Sequence, residues 1–156
     1  MIWTPERRQL ALESLNRWHG TPHRNRIAIR GVGVDCIKLV DEVFHDAGVF
    51  PRCNFTGYDL DSGMWGQSSK LQDALLKCLH AVWVEKDFEF GDIFILKTGK
   101  RSAHCGIYTD DGYVWHSLGH RSVTRSDFAL WRHEILGMVR LVKPGFRLNP
   151  DNIRFD

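Results

Sequence analysis

Apolar residues recur at helical spacing in two segments of the first third of the chain. The first segment begins at Thr4-Pro5, where threonine can cap a helix and proline suits its first position. The second begins at Asp35, a plausible N-cap, and ends at Gly48. Their predicted buried faces comprise Leu10, Ala11, Ser14, Leu15 and Trp18, then Cys36, Val40, Val43, Phe44 and Ala47. Residues 19–33 between the two helices are predicted to form a loop.

The pattern changes after about residue 80 to short apolar runs with period two, which is typical of strands. A short helix is predicted at 70–80, one helical turn at 128–131 and a last strand at 135–142; intervening strands are predicted in AVWVE, GDIFILK, HCGIYTDDGYVWHS and SVTR. Helices followed by an antiparallel sheet indicate an α+β fold. Taking Asp111-Gly112 as the hairpin turn places His116 opposite Ile107 and His104 opposite Gly119.

Two segments lack a periodic pattern. Residues 50–69 are rich in Gly, Ser, Asn and Asp and are predicted to form a long loop, in which Trp65 would line a cleft or, with Tyr58, dock a partner. Residues 1–143 are predicted to form a single domain, and residues 144–156 an irregular C-terminal tail that could serve as a docking arm.

Composition and charge exclude several classes of protein. The chain has 156 residues, a size typical of one domain, and its 43% hydrophobic and 26% charged residues argue against disorder. A net charge of +2 is too small to favour nucleic-acid binding or a membrane surface. Charges at Glu6, Arg7 and Arg8 precede any apolar run, so neither a signal peptide nor a membrane-spanning helix is expected.

Four cysteines, at positions 36, 53, 78 and 105, include no C-x-x-C pair, which makes zinc binding a weak alternative. Cys36 alone would most simply be a buried thiol, as the other three are expected to be. Its place in the first turn of a helix favours the thiolate, the nucleophilic form of cysteine. By strand alternation, Cys105 is expected on the sheet face opposite to His104.

Two histidines could serve this nucleophile. His104 and His116 flank the predicted hairpin an even number of residues apart, so both can line one face of the sheet. One would act as the base and the other would orient it, as in a catalytic triad.

These segments together resemble a known family. The sequences GTPHR…GVGVDCIKLV, GDIFIL and AHCGIYTDDGYVWHS are similar to those of the NlpC-type cell-wall endopeptidases, a papain-like group, over about residues 10–141. The spelling W-x-G-T-P-x-R…G-V-G-x-D-C resembles most closely the branch found in tailed phages and gene transfer agents. The resemblance implies a papain-like α+β fold in which helices pack on an antiparallel sheet and the nucleophile begins a helix.

The resemblance also implies roles for individual residues. Cys36 would be the nucleophile, His104 the general base and His116 the orienting residue of a cysteine peptidase that needs no cofactor or metal. Its substrate would be the stem peptide of peptidoglycan, cleaved between D-glutamate and a diamino acid. Substrate or oxyanion contacts would come from three further residues, His23, Asp35 and Arg24, with the backbone N–H of the nucleophile also facing the oxyanion.

Two departures from the family pattern keep an alternative open. His23 replaces the family's tyrosine, and Lys38 is bulkier than the expected glycine. An arginine-rich loop (Arg24, Arg26, Arg30) would bind acidic stem peptides or simply be solvated. The protein would thus be either an active peptidase of a phage tail, with other tail-tip or hub proteins as partners, or a structural tail component that retains the fold without activity. An acyltransferase of related fold also remains open. The expected location is the virion tail, acting at the host cell wall.

Overall fold

The computed structural model describes residues 1–52, 68–96, 104–119 and 121–148. Its helices are α1 (Pro5–Trp18), α2 (Cys36–Asp46), α3 (Ser68–Cys78) and α4 (Phe128–Trp131), the last continued by a 3₁₀ turn at Arg132–Glu134. Its strands are β1 (Ala28–Ile29), β2 (Gly33–Val34), β3 (Leu79–Val84), β4 (Ile93–Leu96), β5 (Cys105–Tyr108), β6 (Tyr113–Ser117), β7 (Val123–Asp127) and β8 (Ile135–Phe146).

Local sequence signals explain where α1 begins and where α2 ends. The Thr4 hydroxyl accepts a hydrogen bond from the backbone N–H of Arg7 at 3.2 Å, and Pro5 follows as the first helical residue. Helix α2 ends before Gly48, whose φ of 74° suits glycine. The predicted apolar faces are buried except at Leu10, which is 37% exposed.

Six strands form one sheet in the order β3-β8-β4-β5-β6-β7, and every neighbouring pair is antiparallel. Helices α1 and α2 contribute Leu15, Leu39 and Phe44 to a core that also contains Ile93 and Ile107 of the sheet. The prediction of helices first and an antiparallel sheet afterwards is confirmed. Within the described ranges, no helix is both long and apolar enough to cross a membrane.

The hairpin between β5 and β6 differs by one residue from the predicted register. Ile107 pairs with Trp115 and Tyr108 with Val114, so His116 is not opposite Ile107. Asp110 and Gly112 both have positive φ, 54° and 88°, and the Asp111 carboxylate accepts hydrogen bonds from the Thr109 hydroxyl and the Tyr113 N–H. The connection is therefore a three-residue loop rather than a two-residue turn.

Other boundaries also differ from the prediction. Residues 19–33 are not entirely a loop, since β1 and β2 form a small antiparallel pair there. Helix α3 begins and ends two residues earlier than predicted. Strand β8 continues through Phe146, held by a bond from Gly145 N–H to the Val49 carbonyl, so residues 144–146 are strand rather than irregular tail. Tyr58, Trp65 and the chain beyond residue 148 lie outside the described residues, so the docking arm stays a prediction.

Candidate active site

Cys36 is the first residue of α2, and a buried aspartate holds that end of the helix. One carboxylate oxygen of Asp35 accepts the backbone N–H of Lys38 at 2.8 Å, and the other accepts the N–H of Arg26 at 2.7 Å. Asp35 is therefore confirmed as the N-cap, and its two oxygens are occupied by backbone donors. The side chain of Cys36 is 1% exposed and sits where the helix dipole favours an anion.

The two histidines meet beside this helix terminus. Nε2 of His104 lies 2.9 Å from Nδ1 of His116, and the side chains of His104 and Cys36 are close enough for each to shift the pKa of the other. Because Nε2 is taken by His116, Nδ1 is the nitrogen left for the thiol. The structure thus brings together Cys36, His104 and His116, as the even spacing of the histidines predicted; their catalytic roles stay predictions.

Ser126, on β7, extends this row of contacts and was not foreseen from the sequence. Its hydroxyl lies 2.9 Å from Nε2 of His116. If His104 carries two protons, Nδ1 of His116 must accept and Nε2 must donate, and Ser126 is the acceptor that this tautomer needs. The only sequence signal was a serine directly after the strand predicted from SVTR (residues 122–125), and pairing of that strand with the His116 strand could not be read from the pattern.

Aromatic rings enclose the orienting histidine. The rings of Phe94 and Trp131 meet His116 edge-on, with centroids 5.6 Å and 5.1 Å away. Gly106 makes room for Phe94, since a Cβ there would overlap the Phe94 ring and the Trp115 carbonyl. Burial lowers the pKa of His116 to about 4, which keeps it neutral and restricts it to one N–H at neutral pH.

Cys36 and the predicted base, His104, both have lowered pKa values. The pKa of Cys36 falls from its ordinary 9.0 to about 6, because interactions with the side chains of Cys105 and then His104 outweigh the opposing effect of burial. Burial lowers the pKa of His104, while the hydrogen bond with Cys36 partly opposes that change. A neutral imidazole next to an acidic thiol is the arrangement in which a proton can pass from sulfur to nitrogen.

Cys105 was expected on the face opposite to His104, and the packing agrees with this prediction. Cys105 packs with Ile37 and Ile93 in the core beneath the helices. The ring of His104 lies against Phe94, which belongs to a separate apolar cluster.

The three residues predicted to contact substrate or oxyanion occupy different settings. Nδ1 of His23 lies 3.0 Å from the hydroxyl of Ser117, which itself donates to the Val34 carbonyl at 2.6 Å. His23 is half-buried and Arg24 is exposed, with its Nε donating to the Val32 carbonyl at 3.0 Å. Both carboxylate oxygens of Asp35 already accept backbone N–H groups, and its contact with substrate stays a prediction.

Of the other two cysteines, only Cys78 lies in the part of the chain that the structure describes. Cys78 is buried, and its thiol approaches the Leu148 carbonyl at 3.9 Å, while Cys53 falls outside the described residues. Among the residues that the structure describes, no group of three or more His, Cys, Asp and Glu side chains is arranged to hold a metal ion.

Comparison with known proteins identifies similar chains. A model of the NlpC/P60 family matches residues 16–140. No protein in a set with curated functions matches the sequence. Among solved structures, a lipoprotein-like NLP/P60 family protein from Staphylococcus aureus is 18% identical with a TM-score of 0.61; the match covers 90% of this chain and 43% of that one.

Two further structures bear on activity. The NlpC/p60 domain of the peptidoglycan hydrolase SagA is 15% identical with a TM-score of 0.57, and the match covers 86% of this chain and 98% of that domain. RipD from Mycobacterium tuberculosis is described as a non-catalytic NlpC/p60 domain protein adapted to peptidoglycan binding. It is 16% identical with a TM-score of 0.50, and the match covers 89% of this chain and 99% of RipD. These likenesses confirm the papain-like α+β fold.

Proposed function

Since the chain belongs to the NlpC/P60 family of peptidoglycan hydrolases, we propose that it is a cysteine endopeptidase that cleaves peptidoglycan stem peptides with Cys36 as nucleophile, His104 as base and His116 as orienting residue. The single observation that carries the proposal is the continuous row of contacts from the Cys36 thiol through His104 to His116. A peptide-binding protein without activity would not need an acidic thiol beside two hydrogen-bonded imidazoles.

The reaction follows from the positions of the protons. His104 takes the thiol proton, and the Cys36 sulfur attacks the amide carbonyl carbon to form a tetrahedral oxyanion. The N-terminus of α2 directs backbone N–H groups and a positive dipole end at the site where that charge develops. His104 then gives its proton to the leaving amine, the C–N bond breaks, and a thioester remains on Cys36.

Water completes the cycle. His104 removes a proton from a water molecule, the resulting hydroxide attacks the thioester carbonyl, and the carboxylic product leaves as the C–S bond breaks. During both steps the Nε2–H of His104 donates to Nδ1 of His116, which stabilises the imidazolium that forms.

The proposal is tested with purified muropeptides. The wild-type protein should release a new amine and a new carboxylate, and Cys36→Ala should lower the rate by at least about 1,000-fold. Cys78→Ala is the matched control, since it removes a buried thiol outside the cluster and should leave the rate unchanged. Absence of cleavage by every variant, wild type included, would refute the proposal.

A narrower proposal concerns the biological setting. We propose that the protein is part of a phage tail tip, where it opens the host cell wall and contacts other tail proteins. Support comes from the W-x-G-T-P-x-R…G-V-G-x-D-C spelling at residues 18–36. Mass spectrometry of purified virions should detect the protein in tail fractions, and its absence from them would contradict this setting.

The alternative is a structural tail component that binds wall material without cleaving it. The non-catalytic RipD domain makes this alternative concrete, and the unusual His23 and Lys38 favour it. Thiol reactivity separates the two functions: an active site requires Cys36 to alkylate much faster than Cys78 near neutral pH, whereas equal rates would favour the structural component.

A further inference from the structure

One strand of the sheet contacts both sides of the candidate active site. His116 and Ser117 are consecutive residues of β6, so their side chains point to opposite faces of the sheet. On one face the His116 ring contacts His104. On the other face the Ser117 hydroxyl donates to the Val34 carbonyl at 2.6 Å. Val34 lies two residues before Cys36, so β6 holds the orienting histidine and also the segment that leads into the nucleophile.

The bond between Ser117 and Val34 is buried and links distant parts of the chain. Both residues are 0% exposed, and they are 83 positions apart in the sequence. The Val34 carbonyl also accepts the backbone N–H of Arg24 at 3.3 Å, and the Val34 N–H donates to the Pro22 carbonyl at 3.0 Å. Those two bonds join neighbours within the segment, whereas the Ser117 hydroxyl joins the segment to the sheet.

His23 fixes the direction of this hydroxyl. Its Nδ1 lies 3.0 Å from the Ser117 Oγ and 3.2 Å from the Ser117 carbonyl oxygen. A carbonyl oxygen can only accept, and the single hydroxyl proton is used in the bond to Val34, so Nδ1 must carry the proton that the two oxygens share. The imidazole of His23 therefore donates to Ser117, and Ser117 donates to Val34.

A hydrogen bond at this place acts on the geometry of the site. Helix α2 brings Cys36 to the site and strand β6 brings His116, and proton transfer requires the reacting groups to stay within hydrogen-bond reach. Misplacement of a reacting group by about 1 Å can cost about 100-fold in rate. The bond from Ser117 resists such a displacement, because breaking it would leave a buried hydroxyl without an acceptor.

We propose that Ser117 and His23 are positioning residues: together they hold the segment before α2 against β6, and so fix the distance between Cys36 and the histidine pair. The effect on hydrolysis rests on the proposed function of this site. The effect on the reactivity of Cys36 does not, since it needs only the bond between β6 and the segment that carries the thiol.

A purely structural role is the alternative, and the chain offers a matched control for it. Ser14 is another fully buried serine, and its hydroxyl donates to the Asp46 carboxylate at 2.6 Å. That bond also holds α2, but at the last residue of the helix, about 15 Å along its axis from Cys36. Alanine at either serine removes one short hydroxyl bond, so the two losses of stability should be of similar size. Only Ser117→Ala should alter the chemistry of the site.

Hydrolysis of muropeptides gives the first measurement. Per folded molecule, Ser117→Ala should lower kcat about tenfold and change KM less than about twofold, since the bond acts on the position of the nucleophile and not on substrate binding. Ser117→Thr keeps the hydroxyl and should restore most of the rate, and Ser14→Ala should match wild type. An unchanged kcat in Ser117→Ala, or an equal loss in Ser14→Ala, would overturn the proposal.

Alkylation of Cys36 gives a second measurement, which needs no substrate. Iodoacetamide is applied between pH 4.5 and 9.5, and peptide mass spectrometry follows the modification of Cys36 alone. The midpoint should lie near pH 6 in wild type and in Ser14→Ala. It should rise by about half a pH unit or more in Ser117→Ala, because a displaced thiol interacts less strongly with His104.

Variants of His23 test the same bond from its other partner. His23→Leu removes the Nδ1 donor, whereas the side-chain amide in His23→Asn can place an N–H near the same position. The alkylation midpoint should rise in His23→Leu and stay near wild type in His23→Asn, and identical midpoints in the two would overturn the role of His23. Circular dichroism identifies variants that fail to fold; if Ser117→Ala is one of them, the His23 pair decides the result.

The two measurements separate this inference from the proposed function. A raised alkylation midpoint in Ser117→Ala, in a protein that cleaves no muropeptide, would retain the inference and refute the peptidase activity. Cleavage by wild type, with kcat and midpoint both unchanged in Ser117→Ala, would do the reverse.

Discussion

Two buried polar clusters in the same sheet use hydrogen bonds in opposite ways. The first, called the catalytic cluster after its proposed role, consists of Cys36, His104, His116 and Ser126 near the β5–β7 end. The ion-pair cluster consists of Asp92, which precedes β4, and Arg140 on β8; Asp92 accepts two bonds from the guanidinium at 3.1 Å and 2.9 Å and one from Glu89 N–H at 2.8 Å.

The two clusters differ in the interaction that offsets the cost of burying an ionised group. Burial raises the pKa of Asp92, and the fixed charge of Arg140 opposes it, so both partners keep their protonation states. The catalytic cluster contains no permanent charge opposite Cys36; its histidines have lowered pKa values, and protons can move along it. A permanent counter-charge makes a structural pair, and titratable partners make a site that can transfer protons.

This contrast also applies to two short sequences in which the resemblance to the family was found. Gly91-Asp92 and His104-Cys105-Gly106 both stand at strand starts. Gly91, with φ of 85°, leaves space for the Trp3 ring, and Asp92 faces Arg140 rather than Cys36. The first motif therefore serves packing, while the second carries the candidate chemistry.

After loss of the nucleophile itself, the largest expected effect comes from removing the acceptor within the catalytic cluster. His116→Phe keeps an aromatic ring between Phe94 and Trp131 but offers no nitrogen to His104, so kcat/KM on muropeptides should fall about 100-fold. His116→Asn, whose amide oxygen can accept from His104, should retain more activity. Equal losses in both variants would mean that His116 acts by shape alone.

The next effect is one of stability and belongs to the ion-pair cluster. Arg140→Met leaves the Asp92 carboxylate buried without its counter-charge, and should lower the free energy of unfolding by about 2–3 kcal/mol, less than for a fully buried pair because Arg140 is partly exposed. Urea unfolding measures this change. The rate per folded molecule should be unaffected, and a parallel loss of rate would contradict the separation of the two clusters.

A smaller effect is expected at the outer end of the catalytic cluster. Ser126→Ala removes the partner of His116 Nε2 and should lower kcat/KM about fivefold, equivalent to about 1 kcal/mol in the barrier. Ser126→Thr keeps the hydroxyl and should restore the rate. Thr124→Ala, on the same strand, is a control that should leave kcat/KM unchanged.

The smallest effect is a pH dependence of stability with opposite sign in the two clusters. Cys36 has a lowered pKa, so its stabilising contribution is complete above pH 9.0 and is lost as pH falls through about 6. Asp92 has a raised pKa, so its contribution is complete below pH 3.8 and is lost as pH rises through its folded value.

Unfolding free energies of three proteins check these signs. The difference between wild type and Cys36→Ser should grow in favour of wild type from pH 6 to 9. The difference between wild type and Asp92→Asn should shrink as pH rises above 3.8. Parallel pH curves for wild type and either variant would contradict the assigned shift.

Much of the site was predictable because the start of α2, where Cys36 lies, is fixed by contacts between residues that are close in the sequence. Asp35 caps the N–H of Lys38 three residues later, and this i to i+3 contact fixes both the start of α2 and the exposure of Cys36 to the helix dipole. The even spacing of His104 and His116 likewise predicted that they could share a face, and their 2.9 Å contact agrees.

The one-residue error in the predicted hairpin register has an equally specific cause. The hairpin register depends on whether Asp110 enters the left-handed region, which it does at φ of 54°, and the pattern of apolar residues does not encode that choice.

The sequence by itself determined the elements, the α+β order and the residue types of the site, since capping, periodicity and short turns act between neighbours in the chain. The tertiary structure decided which side chains meet: Ser126 with His116, and Asp92 with Arg140. Those pairs join residues on separate elements, and their contact depends on strand order, register and the docking of α2 against the sheet, which only the packed core fixes.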